Sequence, residues 1–251
     1  MLSSAARVYR ETRKKHDQLF NVFVMRPVAA VFVAAVAHSR ITPNQVTLLN
    51  LAVFVVGAAI LVAFPSCGGG VAAVLVIELS YCLDCADGML ARFKGLASKA
   101  GHLFDFFTDE VKAVLLVAAL AVRAWRSGGL GFDGREWNAG DARFLLAGIA
   151  GVAVVATAVS LTTFVRRPEI SGQATTVEAH YERVETTSAS KVKRGAYWVT
   201  TFLRFANHYP SHLWLWAILG HMEAYLWVWI ALNAVYLARG WMGLVTRFGR
   251  S

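Results

Sequence analysis

Long apolar runs separated by short polar segments make up most of the chain. A transmembrane helix needs about 20 mostly apolar residues. Runs of about this length cover residues 43–64, 71–92, 101–122, 143–165, 198–219 and 223–241. The fifth run is interrupted by Arg204, His208 and Pro210. The pattern therefore predicts an all-α integral membrane protein with six transmembrane helices.

A shorter apolar stretch, residues 20–38, precedes these runs and contains Arg26 followed by Pro27. Proline kinks or ends a helix, and the residues after it, 28–38, would form only about 16 Å of helix at 1.5 Å per residue. Together with the basic residues before it, this stretch is predicted to be an interfacial amphipathic helix. The expected organisation is an N-terminal basic and interfacial segment, residues 1–39, followed by a six-helix membrane domain, residues 40–251.

The placement of charge predicts the orientation of these helices. The chain is 57% hydrophobic and has a formal net charge of +9. Basic residues are concentrated before the first run, between the second and third, after the fourth and at the end of the chain: Arg7, Arg10, Arg13, Lys14, Lys15, Arg92, Lys94, Lys99, Arg166, Arg167, Lys191, Lys193, Arg194, Arg247 and Arg250. The positive-inside rule then places both termini in the cytoplasm. Because these residues flank membrane runs, we expect them to contact anionic lipids and not nucleic acid.

Four aspartates occupy the facing ends of the second and third runs: Asp84, Asp87, Asp105 and Asp109. A charge at membrane depth costs roughly 2.5–3.5 kcal/mol, so such residues usually serve a function. Asp84 and Asp87 share one helix face, and Asp105 and Asp109 share another. Because the basic connection between the runs is short, a helical hairpin would bring all four carboxylates together. They would repel one another unless a cation neutralised them.

Carboxylate oxygens are the ligands that hard divalent cations prefer, and Mg²⁺ commonly shares them with substrate phosphates. Four carboxylates could hold two ions, an arrangement that stabilises both oxygens of a phosphoryl displacement. Small residues at Gly88, Ala91 and Gly101 continue the two faces and leave room for a ligand against the backbone. Arg92 adds a cation that suits phosphate. The pattern therefore indicates a metal-dependent phosphate site at the cytoplasmic ends of two membrane helices.

These eight positions and their spacing resemble the signature of the CDP-alcohol phosphotransferase (CDP-alcohol phosphatidyltransferase) family. The matching residues are Asp84, Asp87, Gly88, Ala91, Arg92, Gly101, Asp105 and Asp109. The segment 42–47, which opens the first run, is similar to the segment at that place in many members. The family fold, six membrane helices after an interfacial helix, agrees with the pattern of apolar runs.

The resemblance implies a reaction in phospholipid synthesis. The hydroxyl of an acceptor alcohol attacks the β-phosphoryl group of a CDP-linked alcohol, and CMP leaves. By resemblance, Asp84, Asp87, Asp105 and Asp109 bind Mg²⁺ or Mn²⁺, with two ions expected, and Asp109 is the general base. The nucleotide pocket would be lined by Gly88, Ala91, Arg92, Gly101 and Asn44. Residues 40–251 would then form the catalytic domain of a homodimeric enzyme in the bacterial inner membrane, with its active site facing the cytoplasm.

The identity of the alcohol stays open at this level. CDP-diacylglycerol is the favoured donor, and the alternative is a soluble CDP-headgroup with a lipid or sugar-phosphate acceptor. A phosphorylated acceptor would need further cations, for which Arg166 and Arg167 are candidates, and His208 and His212 are candidates for other acceptor contacts. A cation channel or transporter is a more distant alternative, because aspartate clusters also line ion paths.

Overall fold

The computed structural model describes residues 2–14, 17–167, 205–206 and 208–248. The elements in chain order are α1 (Leu2–Glu11), a π-helical segment (Asn21–Met25), α2 (Arg26–Val36), α3 (Pro43–Ala63), α4 (Cys67–Phe93), α5 (Lys99–Ser127), β1 (Gly129–Leu130), β2 (Glu136–Trp137), α6 (Ala142–Arg166), a 3₁₀ turn (Tyr209–Ser211), α7 (Leu213–Leu219) and α8 (Met222–Phe248). β1 and β2 form a small antiparallel hairpin. The described part of the chain is otherwise helical, which confirms the predicted all-α class.

Four helices in the described residues are long and apolar enough to cross a membrane: Pro43–Ala63, Cys67–Phe93, Ala142–Val165 and Met222–Thr246. Helix α5 has 29 residues, which give about 44 Å at 1.5 Å per residue. It is less apolar than the other four because it carries Asp105, Asp109, Lys112 and Arg123. Part of the predicted fifth run lies outside the described residues, and α7 covers only seven residues of it. The count of six spans therefore stays a prediction.

The predicted helix break at Arg26 and Pro27 was wrong. The π-helical segment continues directly into α2, and the backbone stays helical through Pro27. Proline has no N–H to donate to an earlier turn. The turn before it is closed in the wider π pattern, in which the Arg26 N–H donates to the carbonyl of Asn21, five residues earlier. The guanidinium of Arg26 is buried and forms an ion pair with Asp17, which explains how an arginine is tolerated inside this apolar stretch.

Helix α1 places its apolar side against the protein. Ala5 and Val8 are buried in a cluster with residues of α2 and α4, whereas Arg7 and Arg10 are exposed. The N-terminal segment is therefore packed onto the bundle by its apolar residues, and its basic face is the one that remains available to lipid headgroups. A position in the membrane interface stays a prediction.

The main core lies between α3, α4, α5, α6, α7 and α8. Phe54, Ile77, Leu116, Leu120 and Tyr225 are all fully buried there. Helix α3 begins sharply, because Thr42 and Gln45 cap each other: the Thr42 hydroxyl accepts from the Gln45 N–H, and the Gln45 side chain accepts from the Thr42 N–H. This capping box fixes where α3 begins.

Candidate active site

The second and third apolar runs are joined by a short turn, as predicted, but α4 and α5 both pack against α3 and make little contact with each other. Leu96 donates its N–H to the carbonyl of Ala91 at 2.8 Å, and Gly95 has a φ of +66°, a conformation that favours glycine. Ser98 then caps α5, because its hydroxyl accepts from the Gly101 N–H at 3.0 Å. The two helices that carry the aspartates are therefore joined in the way that the spacing predicted.

Three of the four predicted aspartates converge. Asp84, Asp105 and Asp109 each place one carboxylate oxygen within 4.8 Å of those of the other two. The fourth, Asp87, is 4% exposed, and its Oδ2 accepts a hydrogen bond from the Thr47 hydroxyl at 2.6 Å. Two separate stripes of carboxylates, one on α4 and one on α5, thus meet on the inner side of the hairpin.

Helix α3 supplies polar partners that the sequence analysis missed. Asn50 is fully buried, and its Nδ2 donates to Asp84 Oδ1 at 2.9 Å. The Ser80 hydroxyl donates to Asn50 Oδ1 at 2.6 Å, which orients the amide. Asn44, Thr47 and Asn50 are spaced by three along an otherwise apolar helix, and this spacing was the signal that one face of α3 is polar.

A second residue that sequence reasoning missed is Lys112. Its Nζ lies 2.7 Å from Asp84 Oδ1 and 2.6 Å from Asp109 Oδ1. The side chain of Lys112 is only 2% exposed, whereas that of Asp109 is 51% exposed. Lys112 lies three residues after Asp109 on the same helix face, and this spacing could have indicated its place in the site. The protein therefore carries its own cation among the carboxylates, so a metal ion is not their only neutralising partner.

The donor set at this site fits a hard divalent cation. One buried oxygen of Asp105, Oδ1, has no hydrogen-bond partner among the described residues, and a buried carboxylate oxygen without a partner is costly. Each carboxylate has two oxygens and about four acceptor positions in total, so the contacts of Asp84 and Asp109 with Lys112 leave acceptor capacity. Oxygen donors of this kind suit Mg²⁺ or Mn²⁺ better than softer metals.

The predicted nucleotide-pocket residues lie beside the carboxylates on both helices of the hairpin. A Cβ atom at Gly88 would lie 3.4 Å from an Arg92 guanidinium nitrogen, and one at Gly101 would lie 3.4 Å from Asn44 Oδ1. Arg92 also donates from Nε to the carbonyl of Thr12 at 3.2 Å, so the N-terminal segment helps to position it. Ala91 is half-buried in the last turn of α4. Contact of these residues with a nucleotide stays a prediction.

The predicted acceptor residues belong to other segments of the chain than the carboxylates. Arg166 ends α6, and Arg167 is exposed directly after it. His208 Nε2 lies 2.6 Å from the Tyr81 hydroxyl and Nδ1 lies 2.6 Å from the Ser211 hydroxyl, while His212 Nε2 lies 2.8 Å from the carbonyl of Ala206. Because three of the four ring nitrogens already have partners within the protein, these histidines have a structural task. Acceptor binding by all four residues stays a prediction.

Replacing Lys112 by methionine tests its role as the internal cation. Removing one partner of a buried ion pair costs about 3–5 kcal/mol because the other charge is left uncompensated. We expect Lys112→Met to unfold at a clearly lower temperature than the wild-type protein in EDTA, and Mg²⁺ to raise its unfolding temperature more than that of the wild type. Thermal unfolding in detergent with and without Mg²⁺ measures both effects. Lys99→Met, at an exposed position at the start of α5, is the matched control, and equal Mg²⁺ shifts in variant and wild type would contradict this role.

A bundle of membrane-length helices around three converging carboxylates defines a membrane protein with a polar site between its helices. A family profile described as CDP-alcohol phosphatidyltransferase matches residues 40–235, which is most of the chain. The chain therefore belongs to the CDP-alcohol phosphatidyltransferase family, and the resemblance seen in the eight signature positions is confirmed. No curated protein matches the chain. Membership of this family identifies an integral membrane transferase of phospholipid biosynthesis whose substrates are a CDP-alcohol and an acceptor alcohol.

Proposed function

We propose that the protein transfers a substituted phosphate group from CDP-diacylglycerol to the hydroxyl of a second alcohol and releases CMP. The observation that carries this proposal is the convergence of Asp84, Asp105 and Asp109 on the α4–α5 hairpin, in a chain that belongs to this family. Both termini and this end of the hairpin would face the cytoplasm, where nucleotides are available. A homodimer, as the family resemblance implies, is part of the proposal.

Asp84, Asp87, Asp105 and Asp109 are proposed to hold Mg²⁺ or Mn²⁺. When bound, such ions neutralise phosphate charge and stabilise the attacking and leaving oxygens. Two of these side chains already have fixed orientations through protein contacts: Thr47 donates to Asp87, and Asn50 donates to Asp84. A site whose ligands are held by such partners loses little entropy when it binds its ion.

Asp109 is proposed as the general base, and the exposure of its side chain supports this choice. Its side chain is 51% exposed, compared with 17% for Asp84, so an acceptor hydroxyl can reach it. A base must lie within hydrogen-bonding distance of the proton that it removes. Lys112 contacts Asp109 through Oδ1, which leaves Oδ2 to take the proton. The acceptor oxygen then forms a bond to the β-phosphorus as the bond between that phosphorus and the CMP oxygen breaks.

The remaining side chains bind and orient the donor. Gly88 and Gly101 would contact the cytidine diphosphate, and the side chains nearest to these glycines are those of Arg92, Ser98 and Asn44. Arg92, held by the carbonyl of Thr12, provides positive charge for the diphosphate. The cations Arg166 and Arg167 at the end of α6 are retained as candidates for a phosphorylated acceptor.

The experiment that tests this function measures CMP release and new lipid from labelled CDP-diacylglycerol with a panel of polar alcohols. We expect CMP to appear only when a suitable acceptor is present. The same panel is then run with CDP-choline, CDP-ethanolamine and CDP-glycerol against diacylglycerol, which tests the alternative donor. If no combination releases CMP from purified protein that still binds CDP, the proposed reaction is wrong.

A further inference from the structure

The ammonium group of Lys112 joins three helices at the carboxylate site. Its Nζ lies 2.7 Å from Asp84 Oδ1 on α4 and 2.6 Å from Asp109 Oδ1 on α5. Asn50 Oδ1 on α3 lies 3.5 Å from the same nitrogen. In a two-metal site, each divalent ion is likewise shared between ligands of the surrounding protein. Lys112 therefore neutralises Asp84 and Asp109 in the way that one of two ions would.

Burial fixes the position of the Lys112 side chain. The side chain is 2% exposed, and the apolar core begins one turn further along the same face of α5, where Leu116 and Leu120 are fully buried. An ammonium group in apolar surroundings is costly unless it is paired with an opposite charge. Lys112 therefore stays paired with Asp84 and Asp109 when the site binds its ligands.

A divalent ion at the same two oxygens would compete with Lys112. Mg²⁺ binds its oxygen ligands at about 2.0–2.1 Å, so an ion on Oδ1 of both Asp84 and Asp109 would lie directly beside the ammonium group. Two cations at such a short distance repel each other strongly. The side of the site between Asp84 and Asp109 is therefore occupied by a cation of the protein itself.

The remaining carboxylate oxygens are sufficient for one divalent ion. Asp105 Oδ1 is buried and has no hydrogen-bond partner among the described residues, and Asp105 converges with Asp84. Asp87 accepts from the Thr47 hydroxyl through Oδ2, and a carboxylate with one such bond keeps further acceptor positions. Mg²⁺ commonly binds one or two carboxylates and completes its shell with water and substrate phosphates. It does not need all four aspartates.

Lys112 is also placed to do part of the electrostatic work of a second ion. Its charge lies at Asp109, the proposed base, which is where the acceptor oxygen would arrive. Negative charge develops on that oxygen as it loses its proton, and a fixed positive charge nearby stabilises it. A second divalent ion is not needed at this position for that purpose.

We propose that Lys112 takes the place of the second divalent ion, so that the protein binds a single Mg²⁺ or Mn²⁺ per chain. The inference rests on the proposed function, because it concerns the metal requirement of the same site. It replaces the two ions expected from the family resemblance. Asp84, Asp87 and Asp105 supply the ligands of the ion, and Asp84 is shared between the ion and Lys112. Asp109 is held by Lys112, in agreement with its proposed role as the base.

The number of bound Mn²⁺ ions tests the inference without reference to turnover. Purified protein in detergent is freed of metal with EDTA and titrated with Mn²⁺, with and without CDP, and electron paramagnetic resonance measures free and bound Mn²⁺. We expect the wild type to bind one Mn²⁺ per chain, with a spectrum that shows no coupling between two ions. Two Mn²⁺ per chain under either condition would overturn the inference, and so would a wild type that binds none.

Lys112→Met removes the charge and keeps the length of the side chain. We expect this variant to bind two Mn²⁺ per chain, about 3.5–4 Å apart as in other two-metal sites, so that their spins couple and the signal broadens. Lys112→Gln can still donate a hydrogen bond to a carboxylate and is the second variant if Lys112→Met does not fold; the same doubling is expected. Lys99→Met, at an exposed position on α5, is the control and should bind one Mn²⁺. A folded Lys112 variant that binds only one Mn²⁺ would contradict the inference.

CMP release from the same preparations separates a failure of this inference from a failure of the proposed function. One Mn²⁺ in the wild type and two in the Lys112 variants support the inference even when no combination of substrates releases CMP, a result that would reject the proposed function alone. CMP release from a wild-type protein that holds two Mn²⁺ per chain would reject the inference alone.

Discussion

Asp109→Asn is expected to abolish turnover while binding of CDP stays measurable. Asparagine keeps the size of the side chain and can still accept a hydrogen bond from Lys112, but it cannot take a proton from the acceptor hydroxyl. General bases contribute about 10²–10⁴-fold to enzymatic rates, and we expect kcat to fall by at least the lower figure. The KM for the CDP-linked donor should change little. Steady-state kinetics of CMP release, with CDP binding measured separately, tests both expectations.

The control for this variant is Asp133→Asn, in the turn between β1 and β2. Asp133 accepts hydrogen bonds from the Arg135 N–H and from Trp137 Nε1, and an asparagine oxygen can keep both. We expect its turnover to equal that of the wild type. Turnover of Asp109→Asn near the wild-type value would remove Asp109 as the base and would direct attention to Asp105, the other carboxylate of the α5 stripe.

Removal of divalent cations has the second largest expected effect. Lys112 offsets part of the charge of Asp84 and Asp109, but a single ammonium group cannot balance several carboxylates and a bound diphosphate. We expect EDTA to stop CMP release and Mg²⁺ or Mn²⁺ to restore it. Binding of Mn²⁺, followed by electron paramagnetic resonance, should be strong in the wild type and weaker in Asp105→Asn, because Asp105 Oδ1 has no competing partner in the part of the chain that the structure describes.

Two outcomes would contradict a metal role. One is CMP release that continues unchanged after chelation and gel filtration. The other is Mn²⁺ binding that is equal in the wild type and Asp105→Asn. Asp141→Asn is a suitable control for the spectroscopic measurement. Asp141 caps α6 and pairs with Arg143 in the first turn of that helix, so its replacement should leave Mn²⁺ binding unchanged.

Asp87 differs from the other three aspartates in its burial, and this affects which substitutions are easiest to interpret. Asp87 is nearly buried and bonded to Thr47, so Asp87→Asn changes a packed contact between α3 and α4 as well as the charge. We therefore infer that Asp87→Asn will lower stability as well as activity, whereas Asp109→Asn will lower stability less, because Lys112 keeps its contact with Asp84. Substitutions at Asp109 and Asp105 are therefore easier to interpret than those at Asp87.

Much of the architecture follows from short-range patterns. The apolar runs located α3, α4, α6 and α8 within a few residues, because apolar length is a requirement for crossing a membrane and is visible without any partner. The stripe of Gly101, Asp105 and Asp109 followed from the helical repeat of 3.6 residues. The joining of α4 and α5 into a hairpin followed from the short connection between them. These features depend on neighbours in the chain, and local spacing is sufficient to infer them.

Contacts between distant parts of the chain were not visible in these patterns. Asn50 meets Asp84 across 34 residues, and Tyr81 meets His208 across 127. Lys112 has a local relation to Asp109 but reaches Asp84 only because α3 packs against both α4 and α5 and holds the two helices around the site. The helix likewise continues through Pro27 because of a π turn, which helix propensities did not predict. The sequence of a single helix shows which of its residues share a face. Which other helix contacts that face depends on how the whole bundle is packed. This packing decides which polar groups surround each aspartate.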